Sequence, residues 1–160
     1  MSDRARMLDK YYSLHAWPGN PYTPEGRRRY EAALRAFSEL LDHPFIKDLP
    51  GHVRLLDLLS GEGIGGVALA KALGEKGRDV ELMVLDVRGD ALRAAREFSS
   101  SVLGKEASIV EGDAFRVHEL VGEMDIVLIY GFTMPHFDPW MVSRLLCSVS
   151  WILQREGVLL

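Results

Sequence analysis

The six residues Gly61-Glu62-Gly63-Ile64-Gly65-Gly66 carry four glycines. Missing side chains let backbone amides and the first turn of a following helix approach a ligand closely, which is how nucleotide-binding loops hold their charge. The spacing satisfies G-x-G-x-x-G at Gly61, Gly63 and Gly66. Asp86 stands twenty residues past Gly66, where a dinucleotide-binding fold places its ribose-binding acid. A tight strand-to-helix turn without any ligand uses the same glycines, and Asp86 also suits the cap of a following helix.

A second acid, Asp57, lies four residues before Gly61. A dinucleotide fold has an apolar residue there. A buried carboxylate needs a cationic or polar partner, so Asp57 points to a ligand that brings one. Asp113 follows Gly112, a pair equally at home in an ordinary turn. His136, in Gly131-Phe132-Thr133-Met134-Pro135-His136-Phe137, has the ring chemistry to take a proton from a hydroxyl or amine, or is a surface-loop histidine. Tyr130 either orients a substrate or ends a strand by packing its ring. Asp125 reads as structural, at a strand start.

These residues need a frame. Val53–Leu59, Val80–Asp86, Ala107–Val110, Met124–Tyr130 and Gly157–Leu160 read as short buried strands. Helices are expected over Val67–Leu73, Gly89–Leu103, weakly over Ala114–Val121, and over Pro139–Leu153. Strand and helix in alternation imply right-handed crossovers and a doubly wound, mostly parallel α/β sheet with its ligand outside the carboxyl ends of the strands. The chemistry is therefore expected just after Leu59, Asp86, Val110 and Tyr130.

Residues 1–50 are expected to form a helical extension or lid, and residues 51–160 the core. A helix with Thr23 as N-cap and Pro24 at its first position carries Tyr30, Ala33, Leu34, Phe37, Leu40 and Leu41 at three- and four-residue steps. Tyr11, Tyr12, Trp17 and Tyr22 are candidates for the lid, or a packing satellite. Arg27-Arg28-Arg29 point around a helix, which fits a solvated face better than a nucleic-acid surface.

Composition narrows the field. The chain has 160 residues and a net charge of -4, with eight basic and seven acidic side chains in residues 1–48 against eleven and sixteen in the rest, so no strong field draws polyanions. Cys147 is the single cysteine, which excludes an intramolecular disulfide and a cysteine-built zinc site. No apolar run has the length of a membrane span and the opening residues are charged, so the expectation is a cytoplasmic protein without membrane association.

Leu55-Leu56-Asp57-Leu58-Leu59-Ser60-Gly61-Glu62-Gly63 resembles the first motif of the class I S-adenosylmethionine-dependent methyltransferases, an acid ahead of a glycine-rich turn. Asp86 matches that family's acid at the end of the second strand. Glu111-Gly112-Asp113-Ala114 is similar to its third motif, and Met124-Asp125-Ile126-Val127-Leu128-Ile129-Tyr130-Gly131-Phe132 to its fourth strand. The likeness runs over residues 53–160 in order. It implies a Rossmann-like core that holds S-adenosyl-L-methionine through Asp57, Ser60, Gly61, Gly63, Asp86, Val87, Asp113, Ala114 and Tyr130, with His136 and Tyr130 as catalytic candidates. Two departures stand out. Leu59 fills a place where the family has a small residue, and the chain stops as its fifth strand begins, where members add an antiparallel hairpin. The expectation is a core lacking the C-terminal strands, as a fragment, a reduced domain, or a unit whose last strand is covered by an oligomer or partner chain.

The resemblance implies methyl transfer to an acceptor. No Asp/Asn-Pro-Pro-aromatic element follows the fourth strand, and Cys147 falls in a predicted helix, so neither form of nucleobase methylation has its signature. A small-molecule acceptor is the expectation, with protein or RNA acceptors open. The alternatives are a non-catalytic subunit or ligand-binding protein of the same fold, for which Leu59 speaks, and a nicotinamide oxidoreductase, for which the glycine spacing speaks.

Overall fold

A computed structural model describes residues 3–14, 19–44, 46 and 49–160. Two helices, α1 (Asp3–Leu14) and α2 (Pro24–Leu40), precede a regular alternation: β1 (His52–Leu58), α3 (Ile64–Glu75), β2 (Asp79–Asp86), α4 (Gly89–Leu103), β3 (Ser108–Glu111). A 3₁₀ turn (Ala114–Arg116) and the short α5 (Val117–Leu120) lead to β4 (Met124–Leu128); a second 3₁₀ turn (Met134–His136), α6 (Pro139–Ser150) and β5 (Leu153–Leu159) follow.

The five strands form one sheet in the order β3-β2-β1-β4-β5, and every pairing is parallel. Successive residues of a strand face opposite sides, and both sides are covered. Val53, Leu55, Val80, Leu82, Val84, Ile126 and Leu128 join a core with Val67, Leu69, Leu73, Leu92 and Ala95 of α3 and α4. Leu56, Leu58, Leu85 and Val127 face the other way, onto Ala114, Val117, Leu145 and Val149. Ala33, Phe37 and Leu41, from α2 and just beyond it, enter the first core, so this helix is built into one layer of the sandwich.

Thr23 caps α2 as its type predicts, its side chain accepting from the Gly26 amide at 3.0 Å. Asp138 does the same for α6, accepting from Met141 N at 2.8 Å. Most boundaries shift by one to three residues, with β4 ending at Leu128 short of Tyr130, and the largest difference from the sequence reading lies near the C-terminus. Helix α6 ends at Ser150, and β5 begins at Leu153 where helix was expected. The register explains it: Met124 pairs with Leu153 but Ile126 with Val158, so a bulge interrupts β5 and only its last part continues the regular ladder. The weak helix expected over Ala114–Val121 is the 3₁₀ turn followed by the single turn of α5.

Strand order reverses at β1. The chain passes from β1 to β2 on one side, then returns from β3 to β4 on the other, which opens a crevice above the carboxyl ends of β1 and β4. Among the described residues, no helix is long and apolar enough to cross a membrane.

Candidate functional site

A cleft of about 260 Å3 occupies that crevice. Its floor is the turn after β1. Leu59 and Gly61 both have left-handed backbones, with φ of 63° and 53°. For Leu59 this conformation is unusual, because a Cβ crowds the following carbonyl there. The turn swings the Ser60 amide back onto Leu85 O at 3.0 Å and the Gly61 amide onto Asp86 Oδ2 at 2.8 Å, tying the end of β1 to the end of β2.

The four glycines have different reasons to be glycine. A Cβ on Gly61, which lines the cleft, would lie 3.2 Å from Arg88 Nη2. One on Gly63, the N-cap of α3 at φ 78°, would lie 2.8 Å from Ala95 Cβ. On Gly65 it would lie 2.5 Å from Tyr130 Cβ, and on Gly66 2.6 Å from Asp57 Cβ. Gly61 and Gly65 line the cleft, Gly65 also admitting the Tyr130 side chain, whereas Gly63 and Gly66 lie outside the lining and bring α3 against α4 and β1.

Asp57 is 1% exposed, lines the cleft, and accepts the Gly66 amide on Oδ2 at 2.8 Å. Burial pushes its carboxyl up to about 7; the Gly66 amide opposes that shift and the Asp86 charge adds to it. Asp86 is 7% exposed and uses both oxygens: Oδ2 accepts Gly61 N, and Oδ1 accepts Arg88 N at 3.0 Å and Nε at 3.4 Å. It does not cap α4, whose N-cap is Arg88. Val87 lines the cleft beside it.

Tyr130 leaves β4 with its ring tilted against Phe37 at 5.6 Å and forms part of the wall. His136 lines the same wall, its Nε2 2.9 Å from the Tyr12 hydroxyl. Asp113 and Ala114 lie outside the lining residues. The Asp113 carboxylate accepts Phe115 N at 3.0 Å and caps the 3₁₀ turn, and Ala114 is buried in the second core. Asp125 binds Arg54 N at 2.8 Å and its Nε at 3.3 Å, a clamp between β1 and the start of β4 remote from the cleft.

Local sequence pattern does not mark Arg88 as a site residue and reads Arg29 as part of a solvated face, which its place in the cleft lining corrects, whereas Tyr12 is one of the lid candidates. The Arg88 guanidinium lines the cleft and stacks on the Tyr12 ring at 4.6 Å. Tyr12, from α1, thereby touches residues after β2 and after β4 at once; burial raises its hydroxyl above the ordinary phenol value, with Arg88 opposing. Arg29 of α2 lines the cleft, its Nη2 3.4 Å from where a Gly131 Cβ would sit. Of the other N-terminal aromatics, Tyr11 stands edge-on to Tyr12 and His136 while Tyr22 packs on Phe98; Trp17 lies outside the described residues.

Neither a family model nor a curated protein matches this sequence. Solved structures do. An S-adenosylmethionine-dependent methyltransferase from Clostridium acetobutylicum superposes with a TM-score of 0.63 over 96% of this chain and 56% of its own, at 16% identity. Phosphoethanolamine N-methyltransferase 1 from Haemonchus contortus, solved with phosphoethanolamine and S-adenosylhomocysteine, gives 0.65 over 98% of this chain and 31% of its own, at 17% identity. The fold is that of the class I methyltransferases. A Thiobacillus denitrificans methyltransferase solved with S-adenosylhomocysteine shares this methyltransferase fold, at a TM-score of 0.56 and 20% identity over 96% of this chain and 53% of its own. The chain thus spans between 31% and 56% of the length of these three neighbours. Within the methyltransferase fold, the parallel sheet, the turn after β1 and the acid ending β2 are where the sequence reading puts them.

Proposed function

We propose that this chain binds S-adenosyl-L-methionine in the crevice above β1 and β4 and transfers its methyl group to a small-molecule acceptor. The observation that carries the reading is the Asp86 carboxylate held at the end of β2 against the Gly61 amide, on the rim of a cleft that also contains the buried acid Asp57. The fit is chemical. A carboxylate at Asp86 accepts hydrogen bonds from vicinal ribose hydroxyls, and an ammonium group gives Asp57 the cation that its burial otherwise lacks. Solved neighbours of the fold carry S-adenosylhomocysteine, among them a coclaurine N-methyltransferase.

The cofactor would supply an electrophilic methyl on a sulfonium. Ser60, Gly61 and Val87 line the path between the two acids, and Tyr130 walls the acceptor side. His136, which lines the cleft and pairs with the Tyr12 hydroxyl, would take the proton that the acceptor loses. Aligning the two reactants and excluding water is most of what a direct substitution asks of a protein. Tyr12 and Arg88 close over the cleft in the manner of a lid. Leu59, crowding the turn, favours the second reading, a member of the fold that binds the ligand without transfer.

Calorimetric titration with S-adenosylmethionine, S-adenosylhomocysteine and NAD tests the cofactor. Saturable binding of both adenosyl ligands is expected, weakened roughly ten- to a hundredfold by Asp86→Ala, the worth of a charged hydrogen-bond acceptor. Binding of NAD alone, or of none of the three, contradicts the proposal. Binding without turnover across an acceptor screen selects the second reading.

A further inference from the structure

The Arg88 side chain reaches from the end of β2 back over the glycine turn. Its Nε is 3.4 Å from Asp86 Oδ1, and its Nη2 is 3.2 Å from the place a Cβ on Gly61 would take. Its guanidinium carbon stands 4.6 Å from the centre of the Tyr12 ring, well within the reach of a cation on an aromatic face. The side chain is 16% exposed. A charged group is thus held against the open backbone of Gly61, with a carboxylate at one edge and a ring over it.

The acceptor places on Asp86 show what this means for a ligand. A carboxylate accepts about four hydrogen bonds, two on each oxygen. Gly61 N takes one place on Oδ2, whereas Arg88 N and Nε take two on Oδ1. The two backbone amides are fixed by the turn and by the start of α4, so the Nε contact is the one that can be given up. A vicinal diol brings two hydroxyl donors, and bridging both oxygens requires a place on each. From this we infer that Arg88 is a self-inhibitory plug, whose side chain occupies the diol seat on Asp86 and the open face of Gly61 and must be displaced before an adenosyl ligand binds. The inference rests on the adenosyl site proposed above and adds to it a gate made by the chain itself. Displacement also parts the guanidinium from Tyr12, so α1 responds to what sits on Asp86. The apparent affinity of the ligand is lowered by the fraction of molecules in which the plug is seated.

The test is titration of S-adenosylhomocysteine into the wild-type protein and Arg88→Met, which keeps an unbranched stem and removes the charge and its donors. The variant is expected to lower the Kd at least about threefold, the gain from releasing a plug seated in roughly two thirds of the molecules, and opposite in sign to Asp86→Ala. In an Asp86→Ala background the same substitution should change the Kd by less than about twofold, because the plug acts through that carboxylate. Unchanged or weaker binding in Arg88→Met overturns the inference and leaves the adenosyl site standing, since Arg88 then serves the ligand or does not meet it. A second readout needs no variant. The Arg88 Nε–H resonance of wild-type protein should exchange with water faster once S-adenosylhomocysteine saturates the site; exchange that stays the same or slows overturns the plug. If neither the wild type nor Arg88→Met binds S-adenosylhomocysteine, the methyltransferase reading and this inference fall together.

Discussion

Among the described residues, Asp57 is a carboxylate whose charge its burial strongly opposes. Its carboxyl is fully buried, and the amide of Gly66 is its hydrogen-bond donor. An acid whose folded pKa is raised opposes folding once it ionises. Stability is full below the unfolded value of 3.8 and falls as pH rises through about 7, because in that window the folded state binds the extra proton. The whole effect is on the order of 4 kcal/mol, at about 1.4 kcal/mol for each pH unit of that interval. Asp57→Asn keeps an acceptor for Gly66 N and removes the titration. Urea unfolding at pH 5 and pH 8 should therefore show the wild type losing more stability than the variant as pH rises; parallel pH profiles would refute the assignment. The same burial makes a ligand ammonium valuable, since it compensates the charge where water does not.

At the scale of the element, the decisive piece is the turn from β1 into α3. Gly66 brings the first turn of α3 so close to β1 that its amide becomes the partner of Asp57, and a methyl group there would lie 2.6 Å from Asp57 Cβ. Gly66→Ala should cost about 3 kcal/mol, combining overpacking with a disturbed buried hydrogen bond. Gly74, in the last turns of the same helix, has nothing within 4 Å of its added Cβ, and Gly74→Ala should gain up to about 1 kcal/mol from helix propensity. Thermal unfolding of the pair checks both signs. The sequence made this element legible, because β1 is a run of apolar residues ended by glycines, and helical periodicity follows at once. The division of labour among the glycines was not legible. Gly65 exists for Tyr130, whose strand lies far along the chain, and local spacing does not carry such a contact.

At the scale of the molecule, the sheet edge gathers the ends of β1, β2 and β4, and the chain ahead of β1 completes the cleft. The Tyr12 hydroxyl meets His136 across 124 residues of sequence. Periodicity encodes which face of an element is buried, so the layers on the two sides of a parallel sheet follow from it, together with the right-handed crossover. It holds no record of where the long side chains of Arg29 and Arg88 fold back, and these depend on the assembled layers. The bulge in β5 escaped for the same reason, since it answers to pairing with β4. A second concavity of about 240 Å3, lined by Ala70, Lys71, Gly74, Arg78 and Asp79, lies at the other end of α3 and β2. The two sites can be told apart by position. Backbone amide NMR during titration with S-adenosylhomocysteine tests the central claim most directly. Saturable shifts should concentrate at Gly61, Glu62, Val87 and Arg88 while residues 70–80 stay still; shifts confined to residues 70–80, or none at all, would contradict an adenosyl site above β1 and β4.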